Sequence, residues 1–289
     1  MHKTYITMKL RDSYKNHPRW TSAIIFTILT LTVGNIYVNA TYNFLINQGL
    51  HGIENAIASF LIRFIISSLA LLLLYALLYQ QPRSIEEYRQ ELRVVKGYSL
   101  VTTVGCGLVS FMIFAIVSAS TLIALGAFTE DPLVFLKPPS DTSAGWLLPL
   151  FAINPGLFEE TGFRGLLYTS LRRSYPEKTV ILLTSLLFGL FHFTGLANGQ
   201  SIIGTIFIAI TASTMGYSWG YTTAKTGSVV PSMIIHYLVN AFSEVLQQAY
   251  TTSDLLQLIH ILSLAILYPI FSIIAVRLIT HRHTSAKTF

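Results

Sequence analysis

Long apolar runs, most of them about 20 residues or more, dominate this chain and leave few folds open to it. A helix needs about 20 mostly apolar residues to cross the hydrocarbon of a bilayer. Inside hydrocarbon every backbone group needs a partner within the protein, which helices supply. The sequence therefore predicts an all-α fold, a polytopic transmembrane helical bundle of about eight spans. The predicted spans are residues 21–46, 56–79, 98–127, 146–171, 179–197, 201–221, 229–248 and 255–279.

Composition agrees with a chain that lies mostly in lipid. Hydrophobic residues make up 52% of the 289 residues and charged residues only 11%, whereas soluble domains carry about 25% charged residues. We therefore interpret residues 1–289 as a single membrane domain. The lone cysteine, Cys106, excludes a disulfide framework and a cysteine metal site.

The placement of the basic residues predicts the orientation of the chain. With a cytoplasmic N-terminus and eight spans, 16 of the 19 lysine and arginine residues fall on cytoplasmic segments, and only Lys137 falls on an external loop. This is the positive-inside asymmetry, so both termini are predicted to be cytoplasmic in a multi-pass protein of a cell membrane. Because these residues would face anionic lipid, membrane lipids are the predicted partners, and the net charge of +6 requires no nucleic acid.

The fourth predicted span contains three charged residues, Glu159, Glu160 and Arg164. Each charge at a helix centre costs about 2.5–3.5 kcal/mol on insertion scales, so these side chains must face the bundle interior, pair with one another or line a wet cavity. Glu160 and Arg164 are four residues apart and are predicted to form a structural pair on one helix face. Glu159 points about 100° away from Glu160, so it needs another partner or a proton.

Polar residues from two other predicted spans lie at a similar depth. His192 ends an apolar run in the fifth span, and His236 and Asn240 share a helix face in the seventh. Counted from the inner end of each span, these three and Glu159 lie about 10–20 Å deep at 1.5 Å per residue. A shared internal site explains this agreement. His260 lies near the external end of the last predicted span and is predicted to be interfacial.

Three segments resemble the motifs of the CAAX-protease and bacteriocin-processing family of membrane endopeptidases, also called the CPBP or Abi family. That family carries a Glu-Glu-x-x-x-Arg helix, a Phe-x-x-x-His helix and a His-x-x-x-Asn helix. The order and spacing agree here, and the resemblance covers about residues 146–245, the predicted catalytic core. The corresponding residues are Glu159-Glu160-x-x-x-Arg164, Phe188-x-x-x-His192 and His236-x-x-x-Asn240.

The resemblance implies an intramembrane endopeptidase and a role for each motif residue. Glu159 would be the general base that activates water, and His192 would help to hold that water. His236 and Asn240 would stabilise the oxyanion. These roles suit amide hydrolysis, which needs a base, a positioned water and donors aimed at the developing charge. The implied substrate is a membrane-associated peptide, such as a lipidated CAAX-like tail or a leader peptide.

The resemblance leaves the question of a metal open, because family members are often classed as metalloproteases. Two histidines and one or two glutamates could hold zinc, and zinc would activate water. The chain has no His-Glu-x-x-His motif, and Asn240 suits an oxyanion hole better than a zinc site. We therefore expect glutamate catalysis that requires no cofactor.

Two non-proteolytic functions compete with this interpretation. A bacteriocin-immunity or peptide-sequestering membrane protein would be non-catalytic and would need neither Glu159 nor His192. A proton-coupled transporter would also use buried glutamate and histidine, but the inverted repeats that transporters often show are not evident. Ser232 has no basic partner at serine-protease spacing, so a serine mechanism is not expected.

Overall fold

The computed structural model describes residues 44–45, 47–49, 52–79, 98–127, 147–246 and 253–285. Within these ranges all regular secondary structure is helical, which confirms the all-α class for this part of the chain. We number the longer helical segments from α1 to α7. They are α1 (Gly52–Tyr79), α2 (Leu100–Ala124), α3 (Leu147–Phe151, Ile153–Glu160, Thr161–Leu167 and Tyr168–Arg172), α4 (Glu177–Phe191), α5 (Ile202–Thr226), α6 (Val230–Leu246) and α7 (Asp254–Ser285).

Five of these helices are long and apolar enough to cross a membrane, and they correspond to five of the eight predicted spans. The predicted span 229–248 corresponds to α6, a shorter apolar helix of 17 residues. The predicted span 146–171 corresponds to the interrupted helix α3. The predicted span 21–46 lies almost entirely outside the described residues, so the count of eight stays a prediction. The five candidate spans are Ile53–Leu72, Leu100–Ala124, Glu177–Leu196, Ile202–Thr226 and Leu255–His281.

Local sequence signals fix the ends of α5 and the start of α6. The Ser201 hydroxyl caps α5 by accepting a hydrogen bond from the Gly204 amide at 3.0 Å. α5 ends at Gly227, whose φ of 68° is left-handed and costs glycine no steric strain. Pro231 lies in the first turn of α6, where its missing N–H removes no helical hydrogen bond. The short connection makes α5 and α6 antiparallel neighbours in contact.

Helix α3 changes its backbone geometry in the middle. Residues Thr161–Leu167 form a π-helical segment, and all seven of them are buried. Segments of this type are rare and often occur at functional sites. The segment begins directly after Glu160 and contains Arg164, so α3 departs from a regular α-helical repeat where its charged residues lie.

The bundle packs around α5, which contacts α4, α6 and α7, while α2 contacts α6 and α7. Helix α3 packs against α6 and α1. Large aromatic side chains fill the interior, whereas the exposed surface of the long helices carries leucine and isoleucine, as a lipid-facing surface requires. Aromatic members of the core are Phe114, Phe163, Tyr168, Phe188, Trp219 and Tyr268. Exposed apolar residues include Leu61, Leu69, Leu72, Ile116, Ile123, Ile266 and Ile270.

Candidate active site

Glu160 and Arg164 form an ion pair in the fully buried interior of the bundle. The Arg164 Nη1 donates to Glu160 Oε1 at 3.0 Å, and both side chains are 0% exposed. The second terminal nitrogen, Nη2, donates to the Gly216 carbonyl of α5 at 3.0 Å. The guanidinium also lies 4.3 Å from the centroid of the Phe188 ring, which adds a cation–π contact. A buried charge of this kind is tolerated because it is paired with an opposite charge and hydrogen-bonded.

The approach of Arg164 to α5 requires glycine at position 216. A Cβ atom at Gly216 would lie 2.6 Å from Arg164 Nη2 and 3.0 Å from the Phe188 ring. Any larger residue would therefore displace the guanidinium from the carbonyl that it binds. The sequence of α5 thus helps to place a charged side chain of α3.

Glu160 also binds His236, which joins α3 to α6. The His236 Nδ1 lies 2.9 Å from Glu160 Oε1, the same oxygen that accepts from Arg164. Because a carboxylate accepts, this contact assigns a proton to Nδ1. The imidazole is 4% exposed and packs 4.7 Å from the Trp219 ring, measured between ring centroids. The sequence predicted Arg164 as a partner of Glu160 but not His236. Glu160 and His236 are 76 positions apart, and spacing in the sequence cannot indicate a contact over that distance.

Glu159 approaches the other nitrogen of the same imidazole. Its Oε2 lies 4.0 Å from His236 Nε2, and its side chain is 23% exposed. This distance is too long for a direct hydrogen bond but suits a bridging water. Glu159 is therefore the more accessible of the two adjacent carboxyl groups, and Glu160 is the enclosed one.

His192 lies at the C-terminal end of α4 with its ring orientation fixed by the helix. Its Nδ1 donates to the Phe188 carbonyl at 2.9 Å. Because that carbonyl can only accept, the neutral ring carries its lone pair on Nε2. The ring centroids of His192 and Phe188 are 5.1 Å apart at an edge-to-face angle of 80°. Phe188 thus positions both His192 and Arg164.

A cavity of about 390 Å³ opens between α2, α4, α5, α6 and α7, and three of the predicted site residues line it. These are His192, His236 and Asn240. Glu159 is not among the lining residues and meets the site through His236. The structure therefore brings the four predicted site residues, which belong to three helices, into one region. His192, His236 and Asn240 face the cavity, and Glu159 does not.

His260, which the sequence predicts to be interfacial, is buried inside the bundle rather than exposed on its surface. It is 7% exposed, and its Nε2 lies 2.8 Å from the Ser118 hydroxyl of α2. It lines the same cavity as His192 and His236. The reason is that α7 packs against α2, which turns this face of α7 inward. In the sequence, Ser118 and His260 are polar residues in two separate apolar runs. Neither run carries a family motif, so nothing indicated that the two side chains meet.

Within the described ranges no three histidine, cysteine or acidic side chains gather in a geometry that could hold an ion. Glu160 Oε1 is already occupied by Arg164 and His236.

Fold and site together define a polytopic helical membrane protein with an internal site of carboxyl and imidazole groups. Residues 141–242 match the family described as type II CAAX prenyl endopeptidase Rce1-like, a protease family. This match confirms the resemblance to the CPBP family that the three motifs indicated. It covers about a third of the chain and contains every motif residue. No curated protein matches the chain.

Proposed function

We propose that this protein is an intramembrane endopeptidase that hydrolyses a peptide bond in a membrane-associated peptide, such as a CAAX-like tail or a leader peptide. The observation that carries the proposal is the 4.0 Å separation between Glu159 Oε2 and His236 Nε2. One water can bridge such a gap. The water would then contact a carboxyl group beside a cavity that has room for a peptide segment.

In the proposed reaction Glu159 is the general base. It takes a proton from the bridging water as the water oxygen attacks the carbonyl carbon of the scissile bond. The protonated carboxyl group then passes this proton to the leaving amine, which completes the cycle. His192 assists when the His236 ring carries both protons: the water then accepts from His236 Nε2, and its second proton can bind the lone pair on His192 Nε2 and so orient the water.

Asn240 and His236 stabilise the oxyanion in this proposal. Both line the cavity, where donors act in a medium with little water. The Nδ1 proton of His236 is directed at Glu160, so Nε2 donates to an oxyanion only when the ring carries both protons. The Asn240 amide donates in either state. Glu160 and Arg164 hold this arrangement without touching the substrate.

The membrane arrangement is part of the same proposal. Eight spans with both termini in the cytoplasm of a cell would explain the distribution of basic residues. The proposed reaction requires no metal, since side chains supply the base and the oxyanion donors and position the water.

Substitution of Glu159 tests the proposed base. A Glu159→Gln protein keeps the size of the side chain but cannot accept the proton, so cleavage should fall by about 10²- to 10⁴-fold. The measurement is release of fragments from fluorescent farnesylated CAAX-type peptides and leader peptides in proteoliposomes, followed by mass spectrometry. Glu244→Gln is the matched control, because Glu244 is a half-buried acid of α6 that does not line the cavity.

Wild-type cleavage by the Glu159→Gln protein would contradict the proposed base. Full biological rescue by a variant lacking both Glu159 and His192 would instead favour the non-catalytic immunity or sequestering function.

Removal of metal tests the proposed cofactor independence. Purified protein treated with a strong chelator and shown to be metal-free by elemental analysis should cleave at the untreated rate. Complete loss of cleavage that stoichiometric zinc restores would overturn this part of the proposal and leave the peptidase assignment standing.

A further inference from the structure

The hydrogen bond to Glu160 fixes one corner of the His236 imidazole but not the tilt of the ring. The bond involves Nδ1 alone, and the terminal torsion of a histidine side chain has a broad energy profile. Two aromatic rings pack against the imidazole. The Phe188 ring meets it edge-to-face, with centroids 5.7 Å apart at 85°, and the Trp219 ring packs at 4.7 Å and 34°. The direction of Nε2, which lies 4.0 Å from Glu159 Oε2, therefore depends on these two rings.

Trp219 is held in turn by a hydrogen bond to α7. Its Nε1 donates to the Tyr268 hydroxyl at 2.7 Å, and the two residues are 3% and 0% exposed. The indole nitrogen can only donate, and a buried donor that loses its acceptor also has no water to replace it. The Trp219 ring therefore stays where its N–H reaches Tyr268, and this bond sets the tilt at which the indole meets His236.

The Tyr268 hydroxyl has fixed surroundings of its own. Because the indole N–H occupies one of its lone pairs, its own proton needs an acceptor. Three serine hydroxyls from α2, α5 and α7 hydrogen-bond with it, and all three residues are 0% exposed: Ser110, Ser218 and Ser272. Ser218 already donates to the Met215 carbonyl, so its oxygen can accept from Tyr268. Ser110 and Ser272 also hydrogen-bond to each other. The interior of the bundle thus fixes the position of this hydroxyl.

Tyr268 has no direct contact with the cavity. It is fully buried and is not among the lining residues, whereas Trp219 and His236 both line the cavity. A hydrogen bond between membrane helices usually serves only to hold the helices together, and its average contribution to stability is small. The bond between Trp219 and Tyr268 differs from such a bond, because its donor belongs to the ring that packs against the imidazole.

We propose that Tyr268 is a positioning residue of the proposed reaction. Through the Trp219 ring it fixes the tilt of the His236 imidazole, so that Nε2 is directed at the water that bridges to Glu159. A displacement of reacting groups by about 1 Å can lower a rate about 10²-fold, so a hydroxyl that never meets the substrate can still control the rate. The inference rests on the proposed endopeptidase function.

Removal of this single hydroxyl tests the role. Tyr268→Phe keeps an aromatic ring in the core but leaves the Trp219 N–H without its acceptor, so the indole is no longer held at its tilt. We expect kcat to fall about 10- to 100-fold. KM should change by less than about twofold, because the residues that line the cavity are kept. The measurement is steady-state cleavage of the fluorescent farnesylated and leader peptides in proteoliposomes.

Ser263→Ala is the matched control. Ser263 also lies on α7, accepts a hydrogen bond from the Thr121 hydroxyl of α2 at 3.0 Å, and does not line the cavity. This variant therefore loses a hydrogen bond between α7 and a neighbouring helix but leaves the acceptor of Trp219 in place. Unfolding in micelles checks that both variants are folded, and only Tyr268→Phe should lower kcat.

A spectroscopic signature of His236 separates positioning from folding and does not depend on cleavage. In protein labelled with ¹³C at histidine Cε1, the resonance of His236 is identified by its loss in His236→Gln. Its chemical shift reports the ring currents of the aromatic rings that pack against the imidazole. Tyr268→Phe should move this resonance, and Ser263→Ala should leave it in place.

Trp219→Phe provides a second variant, because it removes the N–H that Tyr268 accepts. If Tyr268 acts through Trp219, adding Tyr268→Phe to this variant should lower kcat by less than about twofold further. Effects of the two substitutions that multiply would overturn the inference, because the two residues would then act separately.

A wild-type kcat or an unmoved His236 resonance in Tyr268→Phe would also overturn the inference, as would equal effects of Tyr268→Phe and Ser263→Ala. Failure of the endopeptidase proposal gives a different result: wild-type protein would cleave none of the peptides, while Tyr268→Phe would still move the resonance of His236.

Discussion

Glu159 and Glu160 are consecutive in sequence but have different surroundings. Glu160 is fully enclosed, and one of its oxygens binds both Arg164 and His236. Glu159 is partly exposed and lies 4.0 Å from the opposite nitrogen of His236. The step of about 100° between neighbouring helical residues makes this division of roles available to adjacent carboxyl groups. One anchors the imidazole, and the other can face a water.

Substitution of Glu160 tests its anchoring role. Glu160→Gln leaves the guanidinium of Arg164 buried without its counter-charge, so the free energy of unfolding should fall by about 3–5 kcal/mol. The measurement is reversible unfolding in detergent micelles, with Glu244→Gln as the control. A double variant, Glu160→Gln with Arg164→Met, should recover much of the loss, because an apolar replacement removes the uncompensated charge. An unchanged stability for Glu160→Gln alone would contradict the anchoring role.

Residue by residue, the sequence predicted polar groups that the structure brings into one region, but not all of their contacts. Charged and polar residues in apolar runs identified Glu159, His192, His236 and Asn240, since lipid penalises such side chains. The contact between Glu160 and His236 could not be predicted, because it depends on how two helices rotate relative to each other. The contact of His260 with Ser118 could not be predicted for the same reason: depth along a helix does not say which face turns inward.

At the scale of the helices, α5 supports the site although its sequence carries no family motif. Its Gly216 carbonyl accepts from Arg164, and its Trp219 ring packs against the His236 ring at an angle of 34°. Tyr268 of α7 in turn accepts a hydrogen bond from Trp219. Hydropathy predicted five of the spanning helices because length and apolar content suffice for that. It could not predict the π-helical segment of α3, because that geometry depends on packing against neighbouring helices.

A methyl group at position 216 tests the support that α5 gives. Gly216→Ala should push Arg164 away from the helix and lower stability by about 1–3 kcal/mol, as overpacking in a core does. Cleavage should fall as well, because Arg164 shares Glu160 with His236. Gly105→Ala is the matched control: it is also a glycine within a helix, but a Cβ there meets nothing within 4 Å. Unfolding in micelles measures the stability of both variants, and the peptide assay measures their cleavage rates. Equal effects of the two substitutions would contradict the supporting role of α5.

For the whole molecule, apolar side chains cover the exterior of the bundle, and the charged residues of the motifs lie inside it among apolar and aromatic side chains. Exposed leucine and isoleucine side chains cover α1, α2 and α7, while Glu160, Arg164 and His236 are enclosed. This division is what a helical protein needs in lipid, where polar groups must find partners inside the bundle. The number of spans and the side of each terminus follow from the basic residues and remain predictions.

Cysteine labelling tests the predicted topology. Cys106 is the single cysteine of the sequence, so Cys106→Ser gives a background without native thiols. In this background Lys287→Cys should react with a membrane-impermeant maleimide only after cells are opened, and Lys137→Cys should react in intact cells. The unsubstituted background is the control for unspecific labelling. Reaction of both positions from the same side would contradict the arrangement of eight spans.

The enclosed charges of α3 also constrain how the protein is made. Leaving the translocation channel for lipid would be unfavourable for α3 alone, because its three charges together oppose insertion by about 9 kcal/mol. The groups that satisfy them belong to α5 and α6, Gly216 and His236, which emerge from the ribosome some 50 to 80 residues later. Helix α3 would therefore wait at the channel, or beside it, until its later partners arrive. The site would then be assembled during membrane integration rather than after it.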